Sequence, residues 1–208
     1  GLWLYFNEPR GLPVDSDFWN RFPDWRGVEH LDAIENRQVA AWCLGNEDAA
    51  RWFEQAVRKL LSGLRGLAGV ILITASEHHT HCWSHHFSAS PVDCPRCAPI
   101  GAARTVERLA RAWCETAAAL SPSPRVLVWN WSWAWWKPNP EKKILSLLPK
   151  NAEPLLDWER GGVLKSPLGN LLVDEYSLGF TGPSPRFLRS YRTAQSLGLT
   201  VHAKLQLG

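Results

Sequence analysis

The sequence contains no methionine among its 208 residues, only five cysteines and no long apolar run. A membrane-spanning helix needs about 18 or more consecutive apolar residues, so we expect no membrane partner. Lysine and arginine number 23 against 20 aspartates and glutamates, which gives a formal net charge of +3. These charges are spread along the chain without the basic stripe that nucleic-acid binders show. We therefore expect no nucleic-acid partner either.

A glycine-rich phosphate loop is also missing after the predicted strands. Short β-rich apolar runs recur at 2–6, 39–44, 70–74, 126–131, 155–158, 171–176 and 199–205. Most of them are separated by segments with helical periodicity, and this alternation predicts a parallel sheet in an α/β architecture. The missing loop disfavours a doubly wound nucleotide-binding sheet. A (β/α)8 TIM-type barrel is then the favoured fold.

Strand-like residues stand at both ends of the chain, from Leu2 at the start to Leu205 near the end. We therefore expect residues 1–208 to be a single catalytic barrel domain from a longer chain, without its first strand and last helix. The seven runs would be strands two to eight. One interval fits poorly, because the dozen residues between Trp158 and Leu171 are too few for a crossover helix. Either that unit is degenerate or one of the two runs is not a barrel strand.

Helices are predicted at 51–64, at 105–120 and at 139–148 from the spacing of their apolar residues. Asn46 is the expected N-cap of the first of these helices. A fourth helix is expected to begin at Ser184-Pro185 and to end at Gly198.

Polar side chains follow many of the predicted strands, and the catalytic groups of a barrel lie at the carboxyl ends of its strands. For Glu8 and Arg10, a structural ion pair is the alternative to substrate binding. The predicted substrate-binding residues are Asn7, Glu8, Arg10, His78, Asn130, Trp131, Trp133 and Asp157.

Glu77 follows an apolar run, so its carboxyl is expected at the mouth of the barrel. Desolvation there raises a carboxyl pKa and suits the group to act as a general acid. The alternative is a carboxylate that binds a neighbouring arginine or caps the next helix. Glycoside hydrolysis also needs a second carboxylate near the sugar ring.

Glu175, with Asp174 beside it, is the expected second catalytic carboxylate. The run that contains both residues becomes strand seven when Glu77 ends strand four, and these strands lie opposite one another in an eight-stranded barrel. Adjacent strand residues point to opposite faces, so only one of the pair can face the site. Glu175 is the favoured one.

Tryptophan is in excess, with 13 residues, and five of them crowd the eight-residue stretch that begins at Trp129. Alternate strand residues share a face, so Trp129, Trp131 and Trp133 are expected to line one wall. Indole rings suit the apolar faces of pyranose rings, and the indole N–H can donate to a hydroxyl. We predict sugar stacking on Trp131, although core packing claims other tryptophans such as Trp52 and Trp113.

The segment after Glu77 is rich in residues that bind metals, because five of the seven histidines fall within nine residues. A cysteine pair with two intervening residues follows, and it is a common half of a zinc site. The predicted ligands of a structural zinc are Cys82, Cys94, Cys97 and either His85 or His86. The alternatives are a disulfide, a reduced pair, or histidines that bind substrate. Cys43 and Cys114 are interpreted as buried thiols.

A strand that ends in an acidic residue, a loop with Cys-Pro-x-Cys and a long amphipathic helix follow one another across residues 70–136. This pattern resembles hexosaminidase-like barrels, above all glycoside hydrolase family 163 and, more distantly, family 20. The resemblance implies that Glu77 is the general acid at the end of strand four. Family 20 places an aspartate directly before that glutamate, to orient the acetamido group of the substrate. This chain has Ser76 there, so a partner carboxylate from Asp174 or Glu175 would be needed.

The sequence thus predicts a glycoside hydrolase with a carbohydrate substrate and general acid catalysis by a carboxylate. The resemblance adds N-acetylhexosamine-containing glycans as the substrate class. Catalysis is expected to need no cofactor, and a zinc ion would be structural. Two alternatives stay open: a metal-dependent hydrolase that uses Glu77 and the histidine and cysteine cluster, and a non-catalytic barrel that binds glycans with its tryptophan wall.

Overall fold

The computed structural model of the chain describes residues 1–7, 9–75, 78–175, 177 and 179–205. The strands are β1 Leu2–Phe6, β2 Leu12–Pro13, β3 Arg26–Asp32, β4 Arg37–Trp42, β5 Leu67–Ile73, β6 Arg125–Trp129, β7 Ala152–Asp157, β8 Val163–Ser166, β9 Gly169–Leu172 and β10 His202–Lys204. The α-helices are α1 Asp17–Arg21, α2 Glu47–Gly63, α3 Gly101–Ala118, α4 Glu141–Leu147 and α5 Pro185–Ser196, and 3₁₀ turns occupy Pro23–Trp25 and Trp131–Trp135.

A parallel sheet of five strands organises the described residues, and its strands lie side by side in chain order as β1-β5-β6-β7-β10. The helices follow the same order, since α2 contacts α3, α3 contacts α4 and α4 contacts α5. A doubly wound sheet reverses its strand order at a switch point, and the described sheet does not. The fold is therefore mixed α/β with a singly wound parallel sheet. This sheet is open, with β1 and β10 at its edges, so the expected closed barrel is not shown.

The main core lies between this sheet and the helices. Val70 of β5 lies opposite Val126 of β6, and both side chains are almost completely buried. They belong to one apolar cluster with Val106 and Trp113 of α3. A second cluster contains strand residues that alternate with these, among them Trp129, together with Trp131. The sheet therefore has a face that packs against helices and a second face that carries Trp129 and Trp131.

The helix predictions are confirmed, and so are the expected cap at Asn46 and the helix start at Ser184-Pro185. The Asn46 side chain accepts hydrogen bonds from two backbone N–H groups in the first turn of α2. Ser184 accepts one from the backbone N–H of Phe187 at 3.0 Å, which caps α5. Gly198 follows α5 with a φ of +74°, a left-handed conformation that favours glycine and ends the helix. Within the described helices, none is both long and apolar enough to cross a membrane.

The predicted barrel strand at 39–44 is wrong. The structure places β4 in a separate antiparallel sheet with the order β2-β4-β3. Residues 39–44 are buried, which explains their apolar character. An apolar run shows that a strand is buried, but it does not show which strands lie beside it.

The predicted strand at 171–176 is also wrong as a member of the parallel sheet. β9 pairs with β8 in a two-stranded antiparallel hairpin, on which Leu171 and Leu172 are exposed. The interval after Trp158, too short for a crossover helix, is occupied by this hairpin. Glu77 accordingly follows the second strand of the sheet, and the expected pairing of opposite strands four and seven does not hold.

Candidate functional site

Two tryptophans form an aromatic wall where β6 ends. The rings of Trp129 and Trp131 stack with centroids 4.9 Å apart and an interplanar angle of 28°. Trp129 is the last residue of β6 and is buried, whereas Trp131 lies in the 3₁₀ turn that follows and is half-buried. The exposed ring of Tyr5 meets Trp129 edge to face at 6.0 Å. Trp131 and Tyr5 thus carry the accessible aromatic surface of the wall.

The Glu175 carboxylate lies against this wall. Its Oε1 accepts a hydrogen bond from the indole Nε1 of Trp131 at 3.1 Å. The Arg160 Nη2 lies 3.5 Å from the same oxygen. The Glu175 side chain is 43% exposed, whereas the Arg160 side chain is 4% exposed. A buried guanidinium and an indole N–H therefore hold a carboxylate that solvent, or a ligand, can reach.

Asp174, the neighbour of Glu175, contributes differently. Its backbone carbonyl accepts a hydrogen bond from Arg160 Nε, and the residue is exposed. Of the two predicted catalytic carboxylates, the structure brings Glu175 to the tryptophans. Glu77 and Ser76 lie outside the described residues, and so does Glu8.

A second cation, Lys204, lies over the Trp129 ring. The Lys204 Nζ lies 5.3 Å from the ring centroid of Trp129, within the range of a cation–π contact. Burial lowers the pKa of Lys204, and nearby carboxylates, Glu175 among them, oppose that shift. The tryptophan wall and its neighbours therefore combine aromatic faces, an accessible carboxylate and two cationic groups, Arg160 and Lys204.

Asn130 and Asp157 lie beneath the wall and are almost completely buried. The Asn130 Oδ1 accepts from the backbone N–H of Asp157 at 2.9 Å, and its Nδ2 donates to Glu141 at 2.5 Å. Asp157 Oδ1 accepts from Trp129 Nε1 at 2.6 Å. Both predicted substrate-binding side chains are thus engaged within the protein, where they support the wall.

Arg186 neutralises the carboxylates of this buried network. It donates to Glu141 from Nε at 3.1 Å, to Asp157 from Nη1 at 3.0 Å and to the Asn130 carbonyl from Nη2 at 2.8 Å. Burial raises the pKa of Asp157, and the charge of Arg186 opposes that rise. The first turn of α5 thereby connects β6, β7 and α4 directly under the tryptophan wall.

Trp133 does not line the wall, contrary to the alternation expected of a strand. It is 0% exposed, and its Nε1 donates to Thr74 Oγ1 at 2.9 Å. β6 ends at Trp129 and a 3₁₀ turn follows, so the two-residue periodicity stops and the ring turns into the main core. A substrate cannot reach Trp133 in this structure.

Two of the other predicted substrate-binding residues, Arg10 and His78, contact the small antiparallel sheet. The carbonyl of Arg10 accepts a hydrogen bond from Trp42 Nε1 at 2.7 Å, and the Arg10 side chain is exposed. His78 Nδ1 lies 3.3 Å from Asp32 Oδ2. Asn7 is buried at the end of β1.

Four cysteine sulfurs form a second cluster, distinct from the wall. Cys43, Cys82, Cys94 and Cys97 are all buried, and their Sγ atoms lie within 4.8 Å of one another. The pKa of Cys43 is held far below its usual range, chiefly because the Cys82 and Cys97 thiols donate to its sulfur. The pKa of Cys97 is raised to about 12, mainly because of its interaction with Cys43. Four sulfurs at this spacing are a donor set for a soft metal ion.

The two histidines considered as a fourth ligand lie elsewhere. His86 is half-buried, and its Nε2 bonds to the carbonyl of Ser90 at 2.7 Å. The His85 ring packs edge to face on that of His30, at 4.5 Å between centroids. Cys43, interpreted from the sequence as a buried thiol, takes the place that one of these histidines was expected to fill.

Sequence reasoning missed Cys43, Arg160, Arg186 and Lys204 as parts of the two clusters. Cys43 and Lys204 lie in or beside apolar runs, and such a run does not indicate which distant residues their side chains contact. Arg186 follows the helix start at Ser184, a position usually exposed. Only Cys43 gave a usable signal, because any cysteine outside the Cys-Pro-x-Cys pair is a possible further ligand of the same metal ion.

No protein-family model matches this chain, and no curated protein matches it. Among solved structures, the chain is similar to TtGalA, an α-galactosidase from Thermus thermophilus in complex with p-nitrophenyl α-D-galactopyranoside, with 17% sequence identity and a TM-score of 0.36. The match covers 96% of this chain and 42% of that chain. The chain therefore spans less than half the length of that structure.

Proposed function

We propose that this chain carries the sugar-binding and catalytic wall of a glycoside hydrolase. The observation that carries the proposal is the Glu175 carboxylate, held 3.1 Å from the indole nitrogen of Trp131. Trp131 offers an accessible aromatic face to the apolar side of a pyranose ring. The adjacent carboxylate would lie near the positive charge that develops on the ring during glycosidic cleavage. N-acetylhexosamine-containing glycans are the proposed substrate class, supported by the resemblance of residues 70–136.

Glu175 is the nucleophile or the charge stabiliser in this proposal, and Glu77 is the general acid. The buried Arg160 guanidinium, 3.5 Å from Oε1, and the Trp131 indole N–H hold the Glu175 carboxylate in place. The anomeric configuration of the product would indicate the distance between the two carboxylates. Retention corresponds to about 5 Å, and inversion corresponds to about 6.5–9.5 Å with room for a water molecule.

Aryl glycosides test the proposal directly. The chain is assayed with a panel of aryl N-acetylhexosaminides and aryl hexosides, beside the variants Glu175→Gln, Glu77→Gln and Asp174→Asn. We expect turnover of at least one substrate, and a loss of about 100-fold or more in kcat for both glutamate variants. Asp174→Asn is the matched control, because its exposed side chain lies beside Glu175, and it should keep the wild-type kcat.

The non-catalytic glycan-binding barrel makes a different prediction. It would bind glycans through Trp131, lose about tenfold in affinity with Trp131→Ala, and turn over no aryl glycoside. Binding measured by calorimetry with N-acetylhexosamine oligosaccharides separates the two functions. Binding without turnover in every member of the panel would refute the hydrolase, and turnover unaffected by Glu175→Gln would refute the assignment of Glu175.

A further inference from the structure

We propose that Cys43, Cys82, Cys94 and Cys97 form a structural zinc site that clamps the loop after β5 onto the small antiparallel sheet. The zinc site expected from the sequence had a histidine as its fourth ligand. The geometry points instead to four sulfurs, with Cys43 as the fourth. This site is separate from the tryptophan wall, so the zinc proposal does not depend on the proposed hydrolase function.

The distances between the sulfurs match those of a tetrahedral metal centre. A zinc–sulfur bond of about 2.3 Å gives tetrahedron edges of about 3.8 Å between sulfurs. The Cys43 Sγ lies 3.6 Å from that of Cys94 and 3.8 Å from that of Cys97. A disulfide needs about 2.05 Å between sulfurs, so these contacts are far too long for a covalent bond. Four thiols of an ordinary apolar core have no reason to converge on one point at this spacing.

The local backbone presents these sulfurs from three separate segments. Cys94 and Cys97 belong to a tight turn, closed by a hydrogen bond from the Cys97 N–H to the Cys94 carbonyl at 3.1 Å. Cys43 directly follows β4 and begins a second turn, in which the Asn46 N–H donates to its carbonyl at 2.9 Å. Cys82 comes from the loop after β5. Two turns that aim sulfurs at one point are a common framework of structural zinc sites.

Arg96 provides a second, independent indication of a negatively charged cluster. Its Nε donates to the Cys43 sulfur at 3.3 Å, and its Nη2 donates to the carbonyl of Asp24 at 2.7 Å. Outer hydrogen bonds of this kind orient metal ligands and balance the charge of the thiolates. Four thiolates with one divalent ion carry a net charge of −2, which an adjacent guanidinium partly offsets.

Two glycines allow the chain to come close enough for the cluster to form. A Cβ on Gly27 would lie 2.6 Å from the Cys82 sulfur, and a Cβ on Gly45 would lie 2.8 Å from the backbone of Arg96. Neither distance is sterically possible without movement of the neighbouring atoms. The chain therefore has no side chain at two points where the Cys82 sulfur and the Arg96 backbone leave no room for one.

Zinc is the ion of choice because a tetrahedral set of four cysteines suits zinc or iron and disfavours the harder divalent ions. With four protein sulfurs the coordination shell is full, so the ion is structural and has no open position for water or substrate. Its mechanical effect follows from the loop contacts. The Trp42 N–H of β4 already donates a hydrogen bond to the Thr80 carbonyl in the loop, at 3.1 Å. The metal would add a second link, between Cys82 of the loop and Cys43, the residue that follows β4.

Metal analysis of the purified 208-residue chain tests the site. After removal of loosely bound metal, elemental analysis should find about one zinc ion per chain. Cys43→Ser should reduce bound zinc at least tenfold. Cys114→Ser is the matched control, because Cys114 is equally buried but lies on α3, outside the cluster, and it should keep the full zinc content.

Cobalt provides a readout that does not depend on the folding of any variant. Replacement of zinc by Co²⁺ in the wild-type chain should give the visible bands of a tetrahedral ion and the charge-transfer intensity of four thiolates. A spectrum typical of three sulfurs and one nitrogen would refute Cys43 as the fourth ligand. Bound iron, two disulfides found by mass spectrometry, or four reduced thiols that take up neither Zn²⁺ nor Co²⁺ would overturn the proposal.

Discussion

Replacing Arg186 with methionine removes a guanidinium that bonds to two buried carboxylates beneath the tryptophan wall. Arg186 and Glu141 are each 6% exposed and Asp157 is 4% exposed, so water cannot take over the role of the lost cation. Removing one partner of a buried ion pair costs about 3–5 kcal/mol, because the charge left behind has no compensation. Asp157 keeps its bond from Trp129 Nε1 at 2.6 Å and the buried Arg160 Nη1 at 3.9 Å, and both limit the loss. We therefore expect the free energy of unfolding to fall by about 4 kcal/mol.

Urea unfolding at pH 7, followed by tryptophan fluorescence, measures this loss. The matched control is Arg192→Met, an exposed position on the same helix, which should change the free energy of unfolding by less than about 0.5 kcal/mol. The penalty for Arg186→Met should shrink as the pH falls. Without the opposing charge of Arg186, burial raises the pKa of Asp157 further, and a protonated Asp157 needs no cation. A loss below about 1 kcal/mol at pH 7, within reach of an exposed ion pair, would refute the reasoning.

Three further predictions follow from buried groups and close approaches. Burial lowers the pKa of His79 from 6.5 to about 4. Between pH 7 and pH 5 only the unfolded chain therefore binds a proton at this residue, and the free energy of unfolding should fall by about 2 kcal/mol. An identical pH dependence in His79→Gln would contradict this. Gly45→Ala places a Cβ 2.8 Å from backbone and should cost about 1–3 kcal/mol in urea unfolding. Gly63→Ala, with open space around it, should cost nothing, and equal effects of the two would disprove the close approach. Trp133→Phe removes the 2.9 Å bond to Thr74 and should cost about 2 kcal/mol in the same assay, whereas unchanged stability would exclude a structural role for that bond.

The helices and several strands could be predicted because their signals are local. Asn46 and Ser184 cap α2 and α5 with their own side chains, a few residues away from the N–H groups they bind. Polar residues such as Asn130 and Asp157 were expected at the ends of strands, and the structure has both there. Their partners were not predictable, because Arg186 reaches them from a helix far along the chain.

Two strand predictions failed because an apolar run does not identify the strands that lie beside it. The runs that became β4 and β9 have the apolar character of a buried strand, yet β4 joins a small antiparallel sheet and β9 an exposed hairpin. The apolar run at β4 predicts its burial correctly but not its neighbours, whereas β9 is exposed, so its run predicts neither. The failure at β9 also removes the strand count from which Glu175 was predicted to face Glu77, although Glu175 still contacts the wall through Trp131.

By itself, the sequence determined the α/β class, the starts and ends of the main helices, the excess of tryptophan near Trp129 and the supply of cysteines after β5. Only the tertiary structure decided that Trp131 faces outward while Trp133 is buried, that Glu175 lies at the wall, and that Cys43 completes the sulfur cluster. The first group depends on interactions within a few residues, which composition and spacing record directly. The second group depends on contacts between segments 40 or more residues apart, such as Cys43 with Cys94 and Trp131 with Glu175. Such contacts arise from how the sheet and its loops pack, and no single segment of the chain encodes them alone.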